Sequence, residues 1–346
     1  MKPRIFTTIA ALFVSLLSFS QTKDSAPDGS SWRVEKVHRQ QSFGRSVPHG
    51  DYSGIAYLGD NRYAVVSDKS ATCGFFVFHI VIDSISGRIK SVENEGFRSA
   101  ALPNRDQEGV AFVPQTNTLF ISGEADNKIK EYALDGQPTG REFDILSTFR
   151  EATARYGFES LTYNAQTRLF WTTTESTLPA DGHQATATNG VRNKLRLQSF
   201  GLDLRPSQQY LYEMDEPAAN SPAASYAMGV SELCALDDGS LLVLEREFFV
   251  PKRKLGSFAL CKLYLVNPSS AAPGTLLPKR LFLEFRTRLS LFRFAIANYE
   301  GLCLGPTLAG GQRVLVMVSD SQSGYKGVLK DWFKTALLAP TCRDGQ

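Results

Sequence analysis

Five stretches of this chain repeat one pattern: a small or acidic residue, an apolar run, a turn, a second apolar run and an acid. They run from Ser53-Gly-Ile-Ala-Tyr57 to Asp68, from Glu108-Gly-Val-Ala-Phe112 to Glu124, and from Glu159-Ser-Leu-Thr-Tyr163 to Glu175. The last two run from Glu232-Leu-Cys-Ala-Leu236 to Glu245 and from Glu300-Gly-Leu-Cys-Leu304 to Asp320. Tandem units of this size stack on their neighbours, as in propellers and solenoids, because none buries its apolar face alone. The runs are short, rich in Val, Ile, Leu, Phe and Tyr, and separated by turns such as Asp237-Asp-Gly239. That combination predicts hairpins. A third strand is expected over 75–80, 129–134, 195–200 and 262–266, and a fourth over 89–97, 139–144, 209–214 and 279–285. Four antiparallel strands per unit predict the blade of a β-propeller.

The markers Glu108, Glu159, Glu232 and Glu300 lie 51, 73 and 68 residues apart. A four-stranded blade needs about 40–50 residues, so the later units hold insertions, expected as surface loops over 176–193 and 213–229. The last unit offers three strands (301–304, 313–319 and 328–337), and Trp32-Arg-Val-Glu-Lys-Val37 is expected to supply its fourth and close the ring. The expected fold is all-β, a single β-propeller over 32–340. Five blades follow from the repeats, with six as the alternative.

Residues 1–20 read as a secretory signal: a basic start at Lys2 and Arg4, an apolar core over 5–19, and small Ser18 and Ser20 before cleavage at Gln21. The protein is therefore expected to be exported, periplasmic or secreted, with a flexible 21–31 segment. The apolar core is too short to span a bilayer, so no membrane anchor is expected. Removing Lys2 and Arg4 leaves 38 − 2 = 36 basic against 35 acidic residues. A net charge near +1 provides no field for nucleic acid or anionic lipid, and a monomer is expected. The cysteines at 73, 234, 261, 303 and 342 have no metal-ligand spacing. Cys234 and Cys303 recur inside apolar runs and read as small buried residues. A Cys73–Cys342 bridge stays open, since connectivity is not deducible from sequence.

The repeat fixes where its acids fall. Across each hairpin, Glu108 is expected to face Glu124, Glu159 to face Glu175, Glu232 to face Glu245, and Glu300 to face Asp320. Asp68 stands alone in the first unit, where Ser53 replaces Glu. Inner strands of a propeller line its channel, so these pairs should gather at one mouth, with Glu108, Glu159, Glu232 and Glu300 at equivalent places. Crowded carboxylates share protons or bind a cation. Hard oxygen ligands suit Ca²⁺, or Mg²⁺, better than zinc, and the four histidines (His38, His49, His79, His183) share no motif. The candidate metal ligands are Asp68, Glu108, Glu124, Glu159, Glu175, Glu232, Glu245, Glu300 and Asp320. Glu159, Glu300 and Arg246 are the candidate catalytic residues. Lys69, Arg105, Lys128 and Arg246 lie beside these acids and could hold phosphate oxygens. Ordinary surface pairing is the alternative for each cation, and acceptance of backbone N–H bonds between blades is the alternative for each Glu. The chain has no Gly-x-Ser-x-Gly elbow, His-Glu-x-x-His helix or Walker loop, which disfavours serine-nucleophile chemistry.

Several segments, taken in order, carry a resemblance. They are Ser53-Gly-Ile-Ala-Tyr57 with Val66-Ser-Asp68, Asp106-Gln-Glu-Gly-Val-Ala111, Gly157-Phe-Glu-Ser-Leu161, Val230-Ser-Glu-Leu233 with Leu241-Leu-Val-Leu-Glu-Arg246, and Asn298-Tyr-Glu-Gly-Leu302 with Val318-Ser-Asp320. Over about 51–322 the chain resembles the phytase-like family, also called "esterase-like activity of phytase", whose members are exported bacterial proteins. The resemblance implies a β-propeller and hydrolysis of a small-molecule ester or phosphoester. The active-site motifs of the calcium-dependent propeller phytases have no clear copy here. Three readings follow: a Ca²⁺-dependent phosphoester or ester hydrolase, a non-catalytic propeller that binds an extracellular ligand, and a metal-dependent lactonase.

Overall fold

A computed structural model describes residues 32–152, 157–290, 293–324 and 328–341. The expected signal, the 21–31 segment and Cys342 lie outside the described residues. Cys73, Cys234, Cys261 and Cys303 are buried free thiols.

The described chain is all-β, with five antiparallel sheets. Sheet I comprises Tyr52–Gly59, Arg62–Ser67, Thr72–Ile82 and Ile89–Pro103; sheet II comprises Gln107–Val113, Thr118–Gly123, Lys128–Ala133 and Pro138–Glu142. Sheet III holds Phe158–Asn164, Leu169–Thr174, Lys194–Phe200 and Pro206–Glu213. Sheet IV holds Ala223–Ala235, Leu241–Pro251, Phe258–Val266 and Lys279–Ser290, plus the short edge strand Arg293–Phe294. In sheet V, Asn298–Thr307, Arg313–Asp320 and Phe333–Pro340 are completed by Trp32–Val37, which pairs antiparallel with Phe333–Pro340. The expected closure by the N-terminal strand is therefore observed.

The first strands of the five sheets touch in a cycle: I on II, II on III, III on IV, IV on V, and V back on I. Side chains alternate across each strand, so successive residues enter different cores. Ala64 and Val66 pack with Val110, Leu119 and Ile121 of sheet II, whereas Val65 packs with Val316 and Val318 of sheet V. The same alternation sends Phe120 toward Phe170 of sheet III, Val243 toward Trp171 of sheet III, and Leu242 and Leu244 toward Leu315 and Met317 of sheet V. With both faces of every sheet covered, strands need apolar residues at consecutive positions. That is why the sequence shows runs rather than a strict apolar–polar alternation.

Inner strands approach closely at Gly54 and Gly109. A Cβ at Gly54 would run into the Glu108 carbonyl, and one at Gly109 into the Leu161 amide. One expected loop is corrected. The insertion over 213–229 turns into strand at Ala223, because Ala223–Gly229 pairs with Arg246–Pro251 and extends sheet IV beyond the ring. The insertion over 176–193 contains a short 3-10 turn at Pro179–Asp181.

Candidate functional site

One irregularity recurs in all five inner hairpins, near the start of the first strand in four of them and seven residues into the longer first strand of sheet IV. The register shifts between Tyr52 and Gly54, Gln107 and Val110, Phe158 and Ser160, Val230 and Glu232, and Tyr299 and Gly301. A bulge leaves one residue unpaired and re-aims its side chain. The residues so placed are Ser53, Glu108, Glu159, Ser231 and Glu300. Opposite them, just past Ser67, Gly123, Thr174, Glu245 and Ser319, stand Asp68, Glu124, Glu175, Arg246 and Asp320.

This register corrects the expectation for sheet IV by one residue. Glu245 pairs with Val230 and Glu232 with Leu244, so neither glutamate joins the ring. Because strand side chains alternate, a shift of one residue turns each to another side. Glu245 faces sheet III, where it accepts from Tyr212 Oη at 2.6 Å and the Asp215 amide at 3.1 Å and pairs with Lys279 at 2.6 Å. Glu232 occupies the place held by Gly54, Gly109, Ser160 and Gly301 in the other sheets. Its Oε1 accepts from the Leu161 and Leu233 amides, each at 3.0 Å, and its Oε2 meets no donor. Burial raises its pKa well above the ordinary 4.5, against those two backbone bonds.

The other seven predicted ligands do gather. Oxygen atoms of Asp68, Asp106 and Glu108 lie within 4.8 Å of one another, as do those of Glu124, Glu159 and Glu175. Glu108 therefore groups with the acids at the sheet I–II junction rather than with Glu124. Glu300 and Asp320 form a third corner around Asn298, whose amide donates to Glu300 Oε1 at 2.8 Å and Asp320 Oδ2 at 3.3 Å. Arg246 stands among them at 4% exposure. Its Nη2 lies 2.7 Å from Glu175 Oε1, its Nη1 lies 3.1 Å from Glu300 Oε1 and 3.2 Å from Asn298 Oδ1, and its Nε has no partner.

Of the cations beside the acids, Lys69 also reaches the ring, bridging Asp68 at 2.6 Å and Asp106 at 2.9 Å. Arg105 instead pairs with Asp126, and Lys128 with Glu142, away from the ring. Sequence reasoning missed Asp106 and Asn298. Each lies two residues ahead of a bulged glutamate, which was the available signal.

Crowding and burial govern the protonation of these acids. Burial pushes Glu108 and Glu159 well above 4.5, with Glu159 adding to the shift at Glu108 and Glu175 adding to it at Glu159. Glu124 and Glu300 are pushed up to about 7, chiefly by burial, with the Gly157 amide opposing at Glu124 and Arg246 opposing at Glu300. Asp68 rises to about 6 through burial despite Lys69, and Asp320 rises well above 3.8 through burial and Glu300. Burial works against the charge on Arg246, but Glu300, Glu175 and Glu159 outweigh it and hold the guanidinium charged.

Among the described residues, no donor hydrogen-bonds the Glu108 or Glu159 carboxyls. The two groups face the ring with like charges as neighbours. At the opposite ends of the same inner strands, a cavity of about 260 Å³ is walled by Tyr57, Phe112, Leu302 and Leu304 with Cys234 and Cys303. Asp237 and Arg313, paired at 3.1 Å, are the charged residues of that end.

The profile of a family described as "Phytase-like: Esterase-like activity of phytase" matches residues 47–322. No curated protein matches the chain. Among solved structures, an endo-arabinase from Bacteroides thetaiotaomicron is similar at 11% identity and a TM-score of 0.45, over 89% of this chain and 100% of that one. A luciferin-regenerating enzyme is similar at 10% identity and a TM-score of 0.43, over 86% and 94%. A streptogramin B lyase is similar at 11% identity and a TM-score of 0.37, over 88% and 98%.

Proposed function

The chain belongs to the phytase-like family, and from that premise we propose that it is a five-bladed β-propeller hydrolase. It cleaves small-molecule esters or phosphoesters at the carboxylate ring with the help of Ca²⁺, or of Mg²⁺ in its place. The cyclic contact of five inner strands supports the blade count. The observation that carries the chemistry is the pair Glu108 and Glu159, two crowded carboxyls that no protein donor satisfies. An oxygen-only donor set fits a hard divalent cation. Asp68, Asp106 and Glu108 would hold it on one side of the ring, and Glu124, Glu159 and Glu175 on the other.

When bound, such a cation polarises an ester or phosphoryl oxygen and acidifies water. The chain's own groups divide the remaining work. Glu159, without a donor of its own, takes the proton of the attacking water. Glu300, near 7, returns a proton to the leaving oxygen as its bond to carbon or phosphorus breaks, since a general acid works best close to ambient pH. Arg246, buried between them, holds Glu175 and Glu300 in place and supplies the positive charge that keeps the ring's acids together.

Protein stripped with a chelator is to be assayed on aryl phosphates, aryl acetates and lactones, with and without millimolar Ca²⁺. Turnover of a phosphate or acetate ester that returns with Ca²⁺ is expected. Turnover confined to lactones would reassign the chemistry to a lactonase. A calcium-induced rise in melting temperature without any turnover would leave a ligand-binding propeller.

A further inference from the structure

Residues 251–296 contain nine cations (Lys252, Arg253, Lys254, Lys262, Lys279, Arg280, Arg286, Arg288 and Arg293) against one acid, Glu284. The near-neutral balance of the chain is an average that hides this segregation. Lys262 and Lys279 are neutralised internally by Asp215 and Glu245. The rest belong to sheet IV, mostly to the part that outgrows the ring. There Leu241–Pro251 continues five residues past Arg246, about 16 Å at a strand's rise. This arm therefore projects from the same end as the carboxylate ring.

The arm is buttressed on both faces. Phe249, Phe258 and Leu260 pack under Ala187 and Ala219 of the two insertions, and Phe248, Val250 and Ala259 pack with Ile296 and Leu329. Exposed cations and apolar side chains flank the buttressed part on two neighbouring hairpins. Lys252, Arg253 and Arg288 are exposed, and none pairs with a carboxylate among the described residues; Arg286, also exposed, lies over the Phe258 ring at 4.4 Å. Leu255, at the tip of the first hairpin, is 53% exposed, and Phe294, on the last strand of the second, is 54% exposed. Leu289 joins the hairpins by donating to the Ser257 carbonyl at 3.0 Å and pairing with Phe294.

We infer that this arm docks the protein onto an anionic lipid bilayer, with the carboxylate ring facing that surface. Unpaired cations draw the arm to acidic headgroups, and Leu255 and Phe294 enter the interface between headgroups and acyl chains. The apolar tips favour lipid over nucleic acid, whose phosphates would reward the cations alone. A rigid arm on one sheet fixes the angle of approach. The inference stands apart from the proposed hydrolysis, because it uses none of the ring residues.

The test is co-sedimentation of the purified chain with vesicles of phosphatidylcholine alone and of phosphatidylcholine mixed with phosphatidylglycerol. Binding to the anionic vesicles only, weakened by salt, is expected. A surface cation contributes about fivefold to such partitioning, so Lys252→Gln with Arg253→Gln should weaken it about twenty- to thirtyfold. Leu255→Ser should weaken it several-fold, and Lys128→Gln on sheet II should leave it unchanged. Melting temperatures are to be recorded alongside, and Arg288→Gln serves if the double variant does not fold. No binding to anionic vesicles, equal binding to neutral ones, or undiminished binding by the folded variants would overturn the inference. So would tighter binding to a single-stranded oligonucleotide than to vesicles.

Discussion

Arg246 Nη2 lies 2.7 Å from Glu175 Oε1, and its Nη1 lies 3.1 Å from Glu300 Oε1, so one guanidinium on sheet IV ties sheets III and V together inside the ring. It stands where the other four sheets place Asp68, Glu124, Glu175 and Asp320. With an acid there as well, the ring's remaining counter-charge would be Lys69, which is largely exposed.

Removing that charge should be costly. Arg246→Ala is expected to destabilise the fold by about 3–5 kcal/mol at pH 7.5, since breaking a buried pair strands its partner charges. At pH 5 the loss should be smaller, because Glu300, pushed up to about 7, then carries a proton. Urea unfolding at both pH values measures this, and equal losses would contradict the assignment.

The ring also sets a pH dependence of stability without metal. Glu124 and Glu300 rise from 4.5 to about 7 on folding, and Asp68 from 3.8 to about 6. Between these limits the folded state binds more protons than the unfolded chain, so stability falls as pH rises. The contribution is complete below about pH 4 and lost by about pH 7. Chelated protein should melt higher at pH 5 than at pH 8, and Ca²⁺ should reverse the order, because metal binds the deprotonated ring. A flat melting temperature across this range in chelator would refute the crowded ring.

Two isosteric changes separate ring from interior. Glu159→Gln is expected to weaken Ca²⁺ binding tenfold or more by calorimetry, since even supporting residues of metal sites are worth about 10–100-fold. Glu232→Gln should leave the affinity unchanged and shift stability by less than about 1 kcal/mol, because an amide oxygen still accepts from Leu161 and Leu233. Equal effects from the two would undo the distinction drawn from the register.

Close approach of inner strands predicts a further sensitivity. Gly109→Ala places a methyl against the Leu161 backbone, and forced expansion of a packed interior costs about 1–3 kcal/mol. Gly59→Ala tests backbone conformation alone, since its φ is +95° with open space around it. Chemical denaturation should find the first loss accompanied by weaker Ca²⁺ binding, because the shift reaches Glu108, and the second loss without it.

The hairpins, the third and fourth strands and the closure by Trp32–Val37 were legible because each needs only apolar runs, turn residues and a count. The ring was legible for Glu108, Glu159 and Glu300, where the acid itself is the bulged residue. It failed in sheet IV because Glu232-Leu-Cys-Ala-Leu236 imitates Glu300-Gly-Leu-Cys-Leu304 so closely that the two seem to start together. The bulge belongs to Ser231, and the better guide was the small residue that follows it elsewhere: Gly54, Gly109, Ser160 and Gly301. A register shift of one residue is nearly silent in composition but exchanges an acid for Arg246 in space. The exposed arm was hidden for a related reason, since total charge carries no information on position.

The seam in sheet V joins Trp32 to Pro340, the most distant partners in any of the five sheets. Loop-closure entropy makes such a contact late to form. Sheets I to IV can each assemble from consecutive segments, whereas sheet V waits for both ends of the fold. Its outermost strand pairs only with Phe333–Pro340, and Trp32, Val34 and Val37 pack on the core shared with sheet IV, so the seam is also the natural place for the circle to open first. Hydrogen exchange should find the amides of this strand the least protected of any paired strand, which makes the propeller a clasped band with its buckle at sheet V.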